Sequence, residues 1–358
     1  MVYLGIDLHR KRSHLVALDE AGSILLSRRI VNERANFQRI FGELEPGPIQ
    51  VAFEATYGWP WLAELLADAG VERHMAHPLA TKAIAAGRVK NDAVDARTLA
   101  HLLRAQVLPE AWIAPREVRE RRRLVRMRAS LVRIQSRLTA QVHAVLADFG
   151  ILPEASDVCG VGGRLFLAGI ELPNVPRGRI DANLRLVDAL EPEIERAEAE
   201  IRELFRGDER IARLDAIPGI GMTIAATVLA EVGDPARFGS ADALCSFAGL
   251  TPTERSSDAH VWRGHISKQG SRWLRWVMVE AAQRVREDRL LRFYEGIAAR
   301  RGKKIARVAL ARRLLTLCYY ALRDEQGCRA YPVCRSTSRR SVEARSPSVM
   351  ASSGRPRH

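Results

Sequence analysis

The stretch Val2-Tyr-Leu-Gly-Ile-Asp-Leu-His9 decides the fold of the N-terminal part of this 358-residue chain. It is a short apolar run with one carboxylate, Asp7, near its end. Apolar or alternating runs follow at 13–19 and 23–31, with polar and turn-forming residues between them. This pattern predicts three antiparallel strands joined by tight turns.

The pattern then changes to helices that alternate with strands. We predict, in order, a helix at 33–44, a strand at 49–53, a helix at 58–69, a strand at 71–76 and a helix that begins near Asp92. The order βββαβαβα is typical of a ribonuclease H-like domain, which we place at residues 1–112. The predicted fold class is α/β for this part and all-α for the part that follows.

Four carboxylates stand out in the predicted α/β domain. Asp7 and Glu54 each end an apolar run, and Asp92 and Asp95 are three residues apart at a helix start, hence on one face. Carboxylates packed together raise one another's pKa unless cations neutralise them. Paired Mg²⁺ (or Mn²⁺) ions about 3.5–4 Å apart clamp the oxygens in phosphoryl-transfer enzymes. The four residues therefore predict a divalent-metal, nuclease-like site.

The charge of the chain indicates a polyanionic partner. The net charge is +14 and the pI is about 10.2. Residues 115–140 carry nine Arg against two Glu, and residues 325–358 carry seven Arg against two Glu. No apolar run approaches the ~18–20 residues of a membrane span, and the five cysteines follow no zinc spacing. We expect a cytoplasmic, nucleoid-associated protein without a membrane partner.

A long helix is predicted from Pro115 to about Gly150, with apolar residues near heptad spacing and arginines on the other faces. A second charged helix is predicted at roughly 182–206. Together they indicate an antiparallel coiled-coil arm, placed at residues 113–208. For the second helix, a solvated surface helix fits the pattern equally well.

The rest of the chain is predicted to be a helical domain at 209–323 and a disordered basic tail at 324–358. Within the helical domain, residues 211–225 have the form of a helix-hairpin-helix, whose Gly219 and Gly221 can present backbone amides to a phosphate. The same turn also fits a tight helix connection without a ligand.

A polar loop is predicted at 247–275, between apolar helices. It contains adjacent serines, Ser256 and Ser257, and cations close to a serine stabilise charge on an attacked phosphate. A further basic cluster heads a helix predicted at 305–322. The residues predicted to contact nucleic acid are Arg88, Lys90, Arg121, Arg122, Arg123, Gly219, Gly221, Arg263, His265, Lys268, Arg272, Arg301, Lys303 and Lys304.

Six motifs occur in a fixed order along residues 2–322. They are Gly5-Ile-Asp-Leu-His9, Phe53-Glu-Ala-Thr56, Lys90-Asn-Asp-Ala-Val-Asp-Ala96, Ile217-Pro-Gly-Ile-Gly221, Ala248-Gly-Leu-Thr-Pro252 and Gly264-His-Ile-Ser-Lys-Gln-Gly270. In this order they resemble the DEDD transposases of bacterial insertion sequences. That family is related to the Piv DNA invertases and includes the bridge-RNA-guided serine recombinases.

The resemblance implies a RuvC-like domain whose DEDD carboxylates are Asp7, Glu54, Asp92 and Asp95. It also implies a nucleophilic serine after the Gly-Leu-Thr-Pro motif, which aligns with Ser257, with Ser256 as second choice. The family commonly has glycine where this chain has Asp258.

The resemblance further implies a reaction and its partners. The serine would attack a DNA phosphodiester, form a phosphoserine and pass the strand to a new hydroxyl without ATP. The two sets of residues would act together across a homo-oligomer, a dimer or tetramer joined through the arm. A structured noncoding RNA would pair with donor and target DNA.

Three alternatives remain at this stage. A RuvC-like nuclease would use water and leave Ser257 as an ordinary loop residue. An actin-like sugar kinase or ATPase also opens with Gly-Ile-Asp, but this chain lacks a second glycine-rich phosphate loop. A noncatalytic nucleic-acid-binding protein, or an inactive transposase copy, would keep the basic charge.

Overall fold

The computed structural model describes residues 1–44, 47–84, 91–155, 157–257 and 260–323. The chain divides into two compact units, Met1–Pro115 and Arg116–His358. The predicted basic tail, and with it Cys328 and Cys334, lies outside the described residues, as do Arg88, Lys90 and Asp258. No helix of the described residues is both long and apolar enough to span a membrane.

The first unit is a mixed α/β unit built on a five-stranded sheet. The sheet order is β3-β2-β1-β4-β5, antiparallel from β3 to β1 and parallel from β1 to β5. The predicted order of strands and helices is confirmed, with one short helix, α3, in addition. The elements are β1 (Val2–Leu8), β2 (Arg12–Leu18), β3 (Ile24–Val31), α1 (Arg34–Leu44), β4 (Ile49–Glu54), α2 (Trp59–Asp68), β5 (Glu72–Ala76), α3 (Pro78–Ile84) and α4 (Asp92–Arg104).

Helices cover both faces of this sheet. On one face, Leu4 and Ile6 of β1 are buried in the main core of the unit, together with residues of α1 and α2. On the other face, Val16 of β2 packs with Ala96 and Ala100 of α4. Burial on both faces explains why β1 is apolar at nearly every position instead of alternating.

The second unit is mostly helical. Its large core is formed mainly by the helices from α8 onward. The elements are α5 (Arg116–Asp148), α6 (Val161–Gly169), α7 (Asn174–Leu204), α8 (Glu209–Asp215), α9 (Met222–Val232), a 3-10 turn (Pro235–Arg237), α10 (Ala241–Phe247), β6 (Pro252–Ser257), β7 (His260–Ile266), α11 (Arg272–Arg284), α12 (Asp288–Arg301) and α13 (Lys303–Arg323).

Two long helices, α5 and α7, pack on each other. The predicted extent of α5 is confirmed, whereas α7 begins at Asn174 and not near 182. Pro176 lies in the first turn of α7, where a missing backbone N–H breaks no helical hydrogen bond. At one end of the pair, Val142 of α5 is buried with Ile180 of α7, while Ile134 in the middle of α5 is 47% exposed. The apolar seam predicted for α5 is therefore not buried along its whole length.

Candidate active site

The sheet brings two of the predicted carboxylates to one face. β1 and β4 are neighbouring parallel strands, and Gly5 lies opposite Ala52. Because successive residues of a strand alternate between faces, Asp7 shares the face of Gly5, and Glu54 shares the face of Ala52. That face is the one that α4 covers. Both strand-end carboxylates thus lie on the side of the helix that carries the other two.

Close contact between α4 and β1 depends on Gly5. A β-carbon built on Gly5 would lie 1.9 Å from the carbonyl oxygen of Ala96 and 2.8 Å from the amide nitrogen of Ala100. Any side chain there would push the helix away from the strand. The glycine in the first motif therefore sets how near α4 comes to Asp7.

The start of α4 is fixed by a cap. The Asn91 side chain accepts a hydrogen bond of 2.8 Å from the backbone N–H of Val94. Asp92 and Asp95 lie in the first turn, where the positive end of the helix dipole stabilises carboxylates.

Asp7 and Asp92 converge on His9. The Nε2 atom of His9 lies 3.0 Å from Oδ2 of Asp7 and 3.2 Å from Oδ1 of Asp92. One ligand atom from each of the three residues lies within 4.8 Å of the others. Arg29 of β3 approaches the same cluster, with Nη2 3.8 Å from Oδ2 of Asp92. Neither His9 nor Arg29 is among the site residues predicted from sequence, although His9 directly follows β1, the strand that carries Asp7.

The electrostatics of this cluster fit a cation. Burial is the main cause that raises the pKa of Asp7; His9 lowers it, and the charges of Asp92 and Asp95 raise it further. Asp95 thus belongs to the same electrostatic group, whereas Glu54, half-buried at the end of β4, is not one of the three clustered residues. Carboxylate oxygens are preferred ligands of both Mg²⁺ and Mn²⁺. The residues present therefore fit a divalent metal ion.

The two candidate nucleophiles lie on a β-hairpin, which corrects the predicted polar loop. β6 and β7 pair antiparallel, with Ser257 opposite His260 and Ser256 opposite Val261. Adjacent pairs of a ladder belong to opposite faces of the ribbon. Ser257 and Ser256 thus belong to opposite faces of the ribbon, and Ser257 forms the last described pair of β6.

The base of this serine hairpin (Pro252–Ile266) is fastened by its two flanking segments. Backbone N–H groups of Ser267, Lys268 and Ser271 donate to the carbonyl oxygens of Thr251, Gly249 and Phe247 at 2.8, 3.2 and 2.8 Å, respectively. A β-carbon at Gly270 would lie 2.1 Å from the carbonyl oxygen of Phe247. The glycines of the last two motifs allow this close backbone approach.

The basic residues near the hairpin differ in their surroundings. His265, Lys268 and Arg272 are exposed, and the guanidinium of Arg272 stacks over Trp273 at 4.9 Å from the ring centre. Arg263 lies in β7, opposite Glu254.

The downstream basic cluster was predicted to head a single helix. Instead, it spans the end of one helix and the start of the next. Arg301 ends α12, Gly302 has a φ of 84°, and Lys303 and Lys304 begin α13. Arg301 therefore complements the negative end of the α12 dipole, and only the two lysines oppose a helix dipole. Arg301, Lys303 and Lys304 are all exposed.

The turn between α8 and α9 contains Gly219 and Gly221. Gly219 has a φ of 87°, and a β-carbon there would lie 2.6 Å from the carbonyl oxygen of Ala281 in α11. Gly219 therefore has a packing role. Gly221 is exposed at the N-terminus of α9 and stays a predicted phosphate contact.

The three consecutive arginines of α5 have different roles. Arg122 donates to the carbonyl oxygens of Ala230 and Glu231 at 3.0 and 2.8 Å, which caps the end of α9. Arg121 lies over the ring of Phe205 at 5.2 Å. Arg123 is exposed and pairs with a glutamate of its own helix.

Comparison with known proteins places both units in one class. Residues 4–151 match the family DEDD_Tnp_IS110, described as "Transposase", and residues 211–295 match the "Transposase IS116/IS110/IS902 family".

Similar proteins align over most of the chain. A "Probable family 20 transposase" of Pseudomonas aeruginosa is 27% identical over 333 residues, 90% of this chain and 97% of the relative. The transposase for insertion sequence element IS1328 of Yersinia enterocolitica is 26% identical, over 88% of this chain and 95% of the relative. The transposase for insertion sequence element IS1111A of Coxiella burnetii is 25% identical, over 86% of each chain.

A carboxylate cluster on an α/β unit, followed by a second unit that matches a transposase family, defines an insertion-sequence transposase. The chain belongs to the IS110/IS116/IS902 family of transposases. As a transposase it acts on DNA, and its DEDD domain implies dependence on a divalent metal.

Proposed function

We propose that this transposase cuts and rejoins DNA through a phosphoserine formed on Ser257. The convergence of Asp7, His9 and Asp92, whose ligand atoms lie within 4.8 Å, carries the metal-dependent part of this proposal. The position of Ser257 in a hairpin that contains the exposed His265 and is followed by the exposed cations Lys268 and Arg272 supports the nucleophile.

The reaction has two balanced steps. The Oγ atom of Ser257 attacks the phosphorus of a DNA phosphodiester and loses its proton, while the bond from phosphorus to a sugar oxygen breaks and that oxygen takes up a proton. In the second step a deoxyribose hydroxyl attacks the phosphoserine, and serine is released with its proton restored. Since a phosphodiester bond is conserved throughout, no ATP is needed.

The metal would be Mg²⁺ (or Mn²⁺), held by Asp7, Glu54, Asp92 and Asp95. When bound, it supplies positive charge that stabilises a phosphate under attack. The chain's own residues hold the site together: Gly5 admits α4 against the sheet, and Asn91 fixes the helix start.

We also propose a fold type for the N-terminal domain and boundaries for the parts that follow it. The sheet order β3-β2-β1-β4-β5, with α4 on one face, supports a ribonuclease H or RuvC-like domain at 1–112. We assign 113–208 to a coiled-coil arm, 209–323 to the transposase domain with a helix-hairpin-helix at its glycine turn, and 324–358 to a basic tail.

The partners would be donor and target DNA, a structured guide RNA and further copies of this chain. Exposed Arg123, His265, Lys268 and Arg272 support contact with phosphates. The family resemblance is the basis for four parts of this proposal: the guide RNA, the relation to Piv invertases, the dimer or tetramer, and the nucleoid location. An RNA-guided transposase would need few contacts to DNA bases, because base pairing between the guide RNA and the DNA supplies the sequence specificity.

A covalent adduct tests the proposal. The full-length protein is incubated with element-end DNA, the RNA transcribed from its flank and Mg²⁺, and protein-linked DNA is separated under denaturing conditions. We expect an adduct that requires metal and RNA and disappears in Ser257→Ala. Ser256→Ala, the neighbouring position on the opposite face, is the matched control and should retain it.

Four results would contradict the proposal. Wild-type protein that forms no adduct, or an undiminished adduct in Ser257→Ala, removes the nucleophile assignment. Hydrolytic cleavage that survives Ser257→Ala would indicate that water is the nucleophile. An adduct lost in Ser256→Ala alone would move the assignment to that serine.

A further inference from the structure

Glu231 is a buried carboxylate for which the proposed chemistry has no role. It is the one charged residue of α9, an otherwise largely apolar helix, and it has no exposed surface. Two residues outside α9 donate hydrogen bonds to its carboxylate. Arg126 of α5 donates from Nε to Oε1 at 2.6 Å and from Nη2 to Oε2 at 2.9 Å, and Ser271 donates from Oγ to Oε2 at 2.8 Å.

Stability alone does not account for such a group. Burying a carboxylate carries a large desolvation cost, and replacing a buried ion pair by apolar residues is often neutral or stabilising. A buried pair is therefore better explained where it fixes one geometry. Both Glu231 oxygens are engaged, so the carboxylate has a single orientation between α5 and Ser271.

Ser271 connects Glu231 to the base of the serine hairpin. Its hydroxyl oxygen accepts from the backbone N–H of Leu274 at 3.1 Å, which caps α11. Its own backbone N–H donates to the carbonyl oxygen of Phe247 at 2.8 Å. β6 begins at Pro252 and β7 ends at Ile266. The hydrogen bond from Ser271 to Phe247 therefore joins the segment before β6 to the segment after β7.

We infer that the chain Arg126–Glu231–Ser271 is a positioning device for the serine hairpin. It holds the base of the hairpin at a fixed place against α5 and α9, so that Ser257 at the far end meets the phosphate in a productive geometry. The inference rests on the proposed role of Ser257. The three are positioning residues, because none of them is required to touch DNA.

The test uses variants that separate geometry from stability. The double variant Arg126→Met with Glu231→Met replaces the ion pair by apolar side chains and is expected to fold with a melting temperature near that of the wild type. We expect an unchanged Kd for element-end DNA, within about twofold, and an adduct-forming rate at saturating DNA lowered about tenfold or more, since small misplacements of reacting groups are costly.

A second pair of variants acts at Ser271. Ser271→Thr and Ser271→Gly are about equally good N-cap residues for α11, and neither adds a charge beside Glu231, but only threonine retains a hydroxyl that donates to Glu231. Ser271→Thr should therefore preserve the adduct-forming rate and Ser271→Gly should lower it. A purely structural cap would leave the two variants equal.

Hydrogen exchange of the segment 247–271 gives a readout that does not depend on chemistry. We expect faster exchange there in the double variant and in Ser271→Gly, but not in Ser271→Thr. Wild-type rates and wild-type exchange in the double variant would overturn the positioning role. If the wild type forms no adduct, the proposed nucleophile fails, and the exchange results alone still decide whether this chain of residues holds the hairpin.

Discussion

The carboxylate cluster and the serine hairpin are held in place by different physical means. Asp7 and Asp92 lie on a strand and a helix that touch backbone to backbone at Gly5. The hairpin extends from two segments that are fastened by backbone hydrogen bonds, and its base reaches the helices through Ser271 and Glu231. The first site is positioned by close packing, whereas the second combines close backbone approach at Gly270 with a buried polar network. Added volume at Gly5 should therefore damage the first, and a lost group of the buried network should damage the second.

The largest effect is expected from removing a carboxylate of the proposed metal site. Asp7→Asn and Asp92→Asn should each lower adduct formation about 100-fold or more, because each removes a ligand charge. They should also reduce the thermal stabilisation by Mn²⁺ or Mg²⁺, which for an intact site is about 2.7 kcal/mol at a metal concentration 100 times Kd. Differential scanning fluorimetry with and without metal measures it.

The matched control for that prediction is Ser257→Ala. It should abolish the adduct and leave the metal-induced rise in melting temperature intact. Equal stabilisation by metal in wild type and Asp92→Asn would show that the cluster is not the binding site.

The next effect tests close packing directly. Gly5→Ala should lower the free energy of unfolding by about 2–3 kcal/mol, because the new methyl group overlaps the α4 backbone. Gly42→Ala in α1 is the matched control, since no described atom lies within 4 Å of a β-carbon there. It should be neutral or slightly stabilising, as alanine favours helix. Equal denaturant midpoints for both variants would refute the contact.

A smaller effect is expected at the start of α4. Asn91→Ala removes the acceptor for the backbone N–H of Val94 and should destabilise by about 1 kcal/mol. Asn91→Ser keeps a capping oxygen and should lose only a few tenths of that. Urea denaturation of the two variants decides the point, and an Asn91→Ser protein as unstable as Asn91→Ala would exclude capping as the cause.

The smallest effect concerns pH in metal-free protein. Burial raises the pKa of Asp7, so the folded state holds this proton more tightly than the unfolded state. The resulting stability is complete below the unfolded pKa and is lost as pH rises through the raised folded pKa. In EDTA, Asp7→Asn should therefore gain stability relative to wild type as the pH rises above the ordinary pKa of an aspartate, about 4. Parallel curves above this pH would contradict the raised pKa.

Elements with a strong apolar pattern were predictable from sequence. The strands β1 and β4 and the long helix α5 each have enough apolar residues, at the right spacing, to define them. Asp7 and Glu54 followed from these strands, because parallel strand ends meet at one edge of the sheet. His9 directly follows β1, so the same reasoning places it near Asp7, but it was not predicted as a site residue.

The serine hairpin was not predictable in this way. β6 is polar, and the apolar residues of β7 do not alternate with polar ones, so hydrophobic alternation does not mark the hairpin. The residues between Ser257 and His260 contain no glycine or asparagine to indicate a turn. Glu231 did leave a signal, a single acidic residue at the end of an apolar helix. Its partner Arg126 could not be picked out among nine similar arginines. Which of these arginines pairs with Glu231 depends on the tertiary packing of α5 against α9.

Gly5 has a consequence for judging copies of an insertion element. Every missense change of a glycine adds a β-carbon, so any such change at Gly5 forces α4 away from β1 while all four carboxylates remain in the sequence. A copy can thus be inactivated by a mutation that a motif search for acidic residues would miss. Surveys of which copies in a genome are still mobile should require this glycine together with the carboxylates.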